Sequence, residues 1–355
     1  MKILKLISPD EFSRGLNSGP IPSVKDRVSA LTDWVRNQKF FDVNIVSSQF
    51  SFFEREYSHY LVTLKTLGGK EFTGHGRAED PYLALLKGFS EAFERAAMSF
   101  YFQTTIKSDD FIQLKFSGTS APKRSQFPVR FFPTARMRNS NGWAVHSDPL
   151  EAAKRGLYES LERHSLQLRY WDDGLTFLRP EKSLHFGDYR IELSSTEAGL
   201  GQLQTLIAVF KSSSQPGMLF GHTTVESIDK ASWIHPMIEA YQIGEALKYS
   251  NQGAPPENIF DEIQQSFWFS DQFKWGESRE DSVVAPKEMD VNVVGLNLKE
   301  MLDLPFSLFA CWTFSDSIMP LFLERLLSSD DRTLFAEQFR FITNRNKTLF
   351  QTPFI

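Results

Sequence analysis

The chain has 355 residues, 41% of them hydrophobic, and a formal net charge of −5. The acidic balance argues against a general nucleic-acid binder, which would carry a basic excess. Cys311, the single cysteine, excludes an internal disulfide and a cysteine-built zinc site.

The opening stretch MKILKLISPDEF holds too short an apolar run for a signal peptide. Nowhere does an apolar run approach the roughly 18 residues of a membrane span, so a cytoplasmic protein is expected. A strand is predicted at YLVTLKTL (60–67), then a helix over 80–100. FSGTSAPKRSQFP (116–128) reads as a surface loop. A second helix is predicted over 148–170, a strand at 204–212, a loop at 211–217 and a third helix over 228–250. The loop NQGAPPEN (251–258) and the strand VNVVGLNL (291–298) follow. Asp80-Pro81 and Asp148-Pro149 each offer an N-cap followed by proline at the first helical position. Cys311 sits in the apolar run FSLFACW and reads as a core thiol. Trp171, Trp268, Trp275 and Trp312 read as core or interface anchors, and His146 and His164 as bystanders. Ser329-Asp330-Asp331 reads as a solvated helix cap. The 33 Phe residues supply aromatic packing between layers. Mixed strands and helices without a clean split predict one α+β domain over 1–355, with an N-terminal part (1–70), a core (71–250) and a C-terminal part (251–355).

The first two helices repeat. Setting residue n against n+68 aligns Gly74 with Gly142, Pro81 with Pro149, Ala84 with Ala152, Lys87 with Arg155 and Gly88 with Gly156. In the same register Glu91, Glu94 and Arg95 meet Glu159, Glu162 and Arg163, without a gap. A fainter third copy sets Glu239 opposite Glu159, Gln242 opposite Glu162 and His235 opposite Arg155. Such repetition predicts a pseudo-symmetric core.

Residues three and four apart share a helix face, so Glu91 and Glu94 project together, as do Glu159 and Glu162. Lys87, Arg155 and His235 join those faces, four residues before each first Glu. An exposed face of i,i+4 ion pairs is the plain reading. The apolar neighbours Ala84, Leu85, Phe89, Phe93, Leu157 and Leu161, and the repetition in register, favour a built site. Paired carboxylates hold hard cations such as Mg2+, and with interspersed Arg or Lys they bind Mg2+ together with a polyphosphate. No Walker-type loop occurs: GHGRA (74–78) lacks its lysine and spacing.

Three ordered blocks carry a resemblance: GHGRAEDPYLALLKGFSEAFER, SNGWAVHSDPLEAAKRGLYESLER and HPMIEAYQ. The chain from about Lys25 to about residue 245 resembles the YcaO family of ATP-dependent enzymes that modify peptide backbones. The resemblance implies an α+β fold of layered sheets and helices in pseudo-symmetric repeats. It implies ATP and Mg2+ as cofactors, held in the 71–250 core. Glu91, Glu94, Glu159, Glu162 and Glu239 would carry Mg2+ at an acidic catalytic site. Arg163 and Lys25 would face phosphates, with Thr32 also reaching the nucleotide. Ser147, Glu151 and Gln242 would surround the nucleoside or phosphates, with Lys87, Arg95 and His235 adding cations. VKDRVSALTDW (24–34) is the segment that suggests Lys25 and Thr32.

In that family ATP activates a peptide amide oxygen after a nucleophile has attacked the carbonyl, so the enzyme needs no nucleophile of its own. The first expectation is cyclodehydration of Cys, Ser or Thr to thiazoline or oxazoline in a ribosomally made precursor peptide, as in bacteriocin biosynthesis. No segment is large enough for a separate leader-binding domain, so a partner protein is expected to recognise the leader. The resemblance also allows a homodimer. Thioamide or amidine formation is the alternative enzyme, and a non-catalytic scaffold subunit the alternative class. Departures from the family pattern motivate these alternatives: Lys87 stands for a serine, His75 for the lysine of a Gly-Lys-Gly turn, Ala144 and Ser147 for Ser and Asn, and His235 for an arginine. The tail LFQTPFI has one proline, Pro353, where azoline-forming members are proline-rich.

Overall fold

Two long helices begin by one local rule. In the computed structural model, Asp80 Oδ1 accepts the backbone N–H groups of Tyr82 and Leu83 at 2.8 and 3.4 Å, and Asp148 Oδ1 those of Leu150 and Glu151 at 2.7 and 3.1 Å. Pro81 and Pro149 follow, where a missing N–H costs nothing. The structure describes residues 5–8, 12, 21–103, 111–117, 123–124, 141–173, 180–213, 218–250, 287–315 and 318.

The chain divides into two compact units, the first comprising 1–114, 138–157 and 291–314, the second 115–137, 158–290 and 315–355. In the first, helix α1 (Val24–Asn37) precedes an antiparallel sheet of β1 (Phe41–Phe52), β2 (Arg55–Thr66) and β3 (Glu71–Ala78). Phe53 and Glu54, both at positive φ, close the tight β1–β2 turn. Helix α2 (Pro81–Phe102) lies on β3 and β2. It meets α1 through an edge-on contact of Trp34 with Phe93 at 5.6 Å.

A second sheet runs β5 (Lys123–Arg124), β4 (Ile112–Phe116), β11 (Met289–Asn297), β12 (Phe309–Phe314), β6 (Trp143–His146). Trp312 stacks on Trp143 at 6.1 Å, and both are buried. Cys311 is buried, its thiol donates to the Pro149 carbonyl, and burial pushes its pKa up, as suits a core thiol. Short helix α5 (Leu298–Leu302) is capped by Asn297.

Helix α3 (Pro149–Asp173) continues from the first unit into the second. The second unit holds an antiparallel sheet in the order β10 (Met218–Val225), β9 (Gln204–Ser212), β8 (Tyr189–Glu197), β7 (Lys182–Phe186). Helix α4 (Ile234–Ser250) packs on β10 and β9. No helix of the described residues is long and apolar enough to cross a membrane.

The fold class is the α+β mixture that the pattern predicts. Three local expectations need correction. The third helix starts at Ile234 rather than 228, because Asp229 and Ser232 tie the preceding residues into a turn. Pro236 is harmless there, standing in the first turn. GHGRA is not a turn but the end of β3, its glycines required by the helix above. The expected loop 116–128 contains strand residues Phe116, Lys123 and Arg124, and that at 211–217 begins within β9. The rest of these loops beyond residues 117 and 213, the loop 251–258, Trp268, Trp275 and Ser329–Asp331 lie outside the described residues, as does the side chain of Trp171.

Candidate functional site

One construction occurs in both units. In the first, a Cβ on Gly74 would stand 2.2 Å from the Gly88 carbonyl oxygen and 2.3 Å from the Ala92 nitrogen, and one on Gly76 1.8 Å from the Ala84 oxygen. Bare glycine therefore lets β3 lie against the backbone of α2, whose small residues Ala84, Gly88 and Ala92 recur every fourth position along the contact. The approach brings Glu91 to the strand, where its Oε2 accepts the backbone N–H of His75 at 2.8 Å. In the second unit a Cβ on Gly221 would stand 1.8 Å from the Pro236 oxygen and 2.8 Å from the Ala240 nitrogen. There Glu239 Oε2 accepts the N–H of His222 at 2.9 Å. Each unit thus has a strand Gly-His whose amide is bound by the first Glu of a packed helix.

The surroundings differ. In the first unit Glu91 Oε1 takes Arg95 Nη2 at 2.6 Å, one turn along the helix. Glu94 follows on the same face. The His75 ring stacks on His59 with planes 10° apart, and His59 Nε2 meets His75 Nδ1 at 3.2 Å. Burial, then the Arg77 charge, lowers both histidines to about 4, so both are neutral near pH 7. Lys87 runs along the surface to the Arg77 carbonyl at 3.3 Å, and desolvation of its ammonium, then Arg155, lowers its pKa. Lys25 lies over the Tyr82 ring at 5.9 Å, and the Thr32 hydroxyl donates to the Val28 carbonyl of its own helix at 2.9 Å. Ser147 is buried, and its Oγ has no hydrogen-bond partner among the described residues. Glu151, in the first turn of α3, is exposed. His146 Nδ1 accepts the Asp148 N–H at 3.1 Å, a bond that steadies the start of α3.

In the second unit one acidic residue, Glu162, is buried. Glu162 Oε1 lies 2.7 Å from His222 Nδ1, and Arg163 Nη1 lies 2.6 Å from His222 Nε2. Burial raises the Glu162 pKa, and interaction with His222, followed by Arg163 and His235, more than offsets this and holds it below its usual value. Glu159 is half-buried one turn earlier on α3. His235 is exposed in the first turn of α4, and Gln242 Oε1 is buried without a hydrogen-bond partner among the described residues. Ser165, Thr205 and Thr224 form a buried hydroxyl chain at 2.9 and 3.0 Å.

The structure therefore places Lys25, Thr32, Lys87, Glu91, Glu94, Arg95, Ser147 and Glu151 in the first unit, and Glu159, Glu162, Arg163, His235, Glu239 and Gln242 in the second. It gathers Glu162, Arg163 and Glu239 around His222, a residue absent from the sequence-based candidates. The signal was present: the dipeptide Gly-His precedes Glu91 and Glu239 by nearly the same interval, 16 and 17 residues from histidine to glutamate. Carboxylate oxygens are the donors that suit Mg2+. Among the described residues no three His, Cys, Asp or Glu side chains form a ready metal-holding group. The buried Ser147 Oγ and Gln242 Oε1 are polar atoms that a ligand could satisfy.

No protein-family profile matches the chain, and no curated protein matches it by sequence. Among solved structures, YcaO from Methanopyrus kandleri bound with AMPPCP and Mg2+ matches with a TM-score of 0.50 at 12% identity, covering 86% of this chain and 96% of that chain. The fold is YcaO-like.

Proposed function

We propose that the chain is an ATP- and Mg2+-dependent enzyme that activates backbone amides of a peptide. Its favoured reaction is cyclodehydration of Cys, Ser or Thr to thiazoline or oxazoline in a ribosomally made precursor. A partner protein that recognises the leader would deliver the peptide. The observation that carries the reading is the strand Gly-His with helix Glu built twice, which fixes Glu91 and Glu239 by backbone N–H groups. The fold likeness to a protein that binds AMPPCP and Mg2+ supports it. So do the two buried polar atoms, of Ser147 and Gln242, at positions where the resemblance expects the nucleotide.

When bound, ATP would supply the phosphoryl group that turns the amide oxygen into a leaving group. Glu91, Glu94, Glu159, Glu162 and Glu239 would hold Mg2+ through oxygen ligands, with remaining ligands from phosphate and water. Arg163, Lys25, Lys87, Arg95 and His235 would offset phosphate charge. Thr32, Ser147, Glu151 and Gln242 would contact the nucleoside or phosphates. Thioamide or amidine formation would use the same activation with an external nucleophile.

Calorimetry with AMPPCP, with and without Mg2+, tests the reading on wild type and on Glu91→Gln with Glu159→Gln. Mg2+-dependent binding that the double substitution abolishes is expected. Mass spectrometry of a precursor peptide with partner and ATP should then register loss of one water per ring. A second reading is a scaffold subunit, favoured because the Thr32 hydroxyl is already bound to its own helix and Glu162 to a buried histidine. No AMPPCP binding by wild type under any condition would select it.

A further inference from the structure

His222 is 4% exposed, and its backbone N–H and both ring nitrogens are engaged. A guanidinium carries donors and no acceptor, so the ring nitrogen facing Arg163 must hold a lone pair. An ionised carboxylate only accepts, so the nitrogen facing Glu162 must hold the proton. The two contacts together fix one neutral tautomer, with the proton on Nδ1.

Glu162 and Arg163 are successive residues of α3, and successive helix side chains leave the axis roughly 100° apart. Their direct approach, from Arg163 Nε to Glu162 Oε1, is 3.9 Å, at the limit of an ion pair. The imidazole spans that gap and binds both. It is held in place from the other side. Its backbone N–H is bound by Glu239, and Gly221 lets its strand press onto α4.

We propose that His222 is a positioning residue, which in its Nδ1–H tautomer holds the Glu162 carboxylate and the Arg163 guanidinium in one fixed arrangement for a magnesium–triphosphate ligand. The ligand's identity rests on the nucleotide reading above; the tautomer and the arrangement rest on geometry alone.

Two substitutions separate the contacts, because an Asn amide reaches the place of Nδ1 and a Gln amide the place of Nε2. His222→Asn keeps a donor for Glu162 and loses the acceptor for Arg163. His222→Gln does the reverse. Nitrogen-15 NMR of ligand-free protein reads histidine tautomers and the order of arginine side chains. The expected result is the Nδ1–H tautomer for His222, an ordered Arg163 in wild type and His222→Gln, and a mobile Arg163 in His222→Asn. The opposite tautomer, or an Arg163 equally ordered in all three, overturns the proposal. The wild-type tautomer needs no variant, so a folding defect does not shelter the claim.

Calorimetry with AMPPCP and Mg2+ supplies the second readout. His222→Asn should weaken AMPPCP about tenfold, the scale of one hydrogen bond to a charged group, with an unchanged Mg2+ requirement. His222→Gln should instead raise the Mg2+ concentration needed. Wild-type behaviour in both variants overturns the proposal. Failure of wild type to bind AMPPCP sinks the nucleotide reading, and the NMR result then decides the positioning claim by itself.

Discussion

The pair β3/α2 and the pair β10/α4 share a backbone frame and differ in what the frame presents. In both, a strand glycine admits the helix and a helix glutamate binds the next strand amide, at 2.8 Å for His75 and 2.9 Å for His222. In the first pair the histidine ring turns to another histidine, and Glu91 reaches a half-exposed arginine. In the second the ring turns inward to Glu162 and Arg163. The comparison teaches that close packing fixes the glycines and the glutamate, while the histidine neighbours are free to set different electrostatics. The interval from histidine to glutamate differs by one residue, 16 against 17, without disturbing the bond.

Breaking the frame itself should have the largest effect. Gly76→Ala and Gly221→Ala each drive a methyl to 1.8 Å from a helix carbonyl oxygen, where no side chain can yield. Each should lose about 3 kcal/mol, the upper end of the usual cost of overpacking. Gly68→Ala meets one side-chain atom at 3.8 Å and should leave the urea midpoint almost unchanged. Equal midpoints for all three variants would refute a helix-on-strand requirement.

Removing the glutamate comes next. Glu91→Ala and Glu239→Ala leave a strand N–H without its acceptor, at a cost of about 2 kcal/mol. The loss should be greater for Glu239, because His222 is 4% exposed whereas His75 is only half-buried. Glu91→Gln and Glu239→Gln keep an acceptor oxygen and should retain most of the stability while removing the charge. Denaturation curves of the four variants measure this ordering, and a Gln variant as unstable as its Ala counterpart would break it.

The two histidine environments separate by pH. The unfolded chain takes up its histidine protons near 6.5, whereas His59 and His75 in the folded protein do so near 4, chiefly because of burial and the Arg77 charge. Between these values the unfolded state binds more protons, so stability is full above about 6.5 and falls as pH drops toward 4. Buried His164, also lowered to about 4, adds to the same loss. His59→Gln should flatten the fall in melting temperature between about pH 7 and about pH 5. An unchanged slope would assign it elsewhere.

These contrasts explain what was legible in the sequence. The helix starts at Asp80 and Asp148 were legible because capping is local. The third helix aligned correctly at Glu239 but was drawn too long, since Asp229 and Ser232 stop it through short-range side-chain bonds. Strand β3 was hidden because two glycines read as a turn, and their cause is a helix ten residues further on. His222 was hidden for a related reason. Its partners lie 60, 59 and 17 residues away, and one of its bonds uses the backbone, which no side-chain pattern records. The expected nucleotide contacts followed from family resemblance rather than from spacing, so the geometry of Thr32 and Lys25, turned to their own helix and to Tyr82, could not be foreseen.

The smallest effect should come from Arg95. Its bond to Glu91 is short, 2.6 Å, but the two side chains are 42% and 31% exposed. Water competes for both charges, so Arg95→Gln should cost about 0.5 kcal/mol and less in high salt. Arg163, in the other pair, is 15% exposed and bonded to a buried ring, so Arg163→Gln should cost more and respond less to salt. Urea denaturation at low and high ionic strength distinguishes the two. Matching salt dependence would mean that the second pair is as open to solvent as the first, and that the frame, rather than the histidine neighbours, sets the electrostatics of each glutamate.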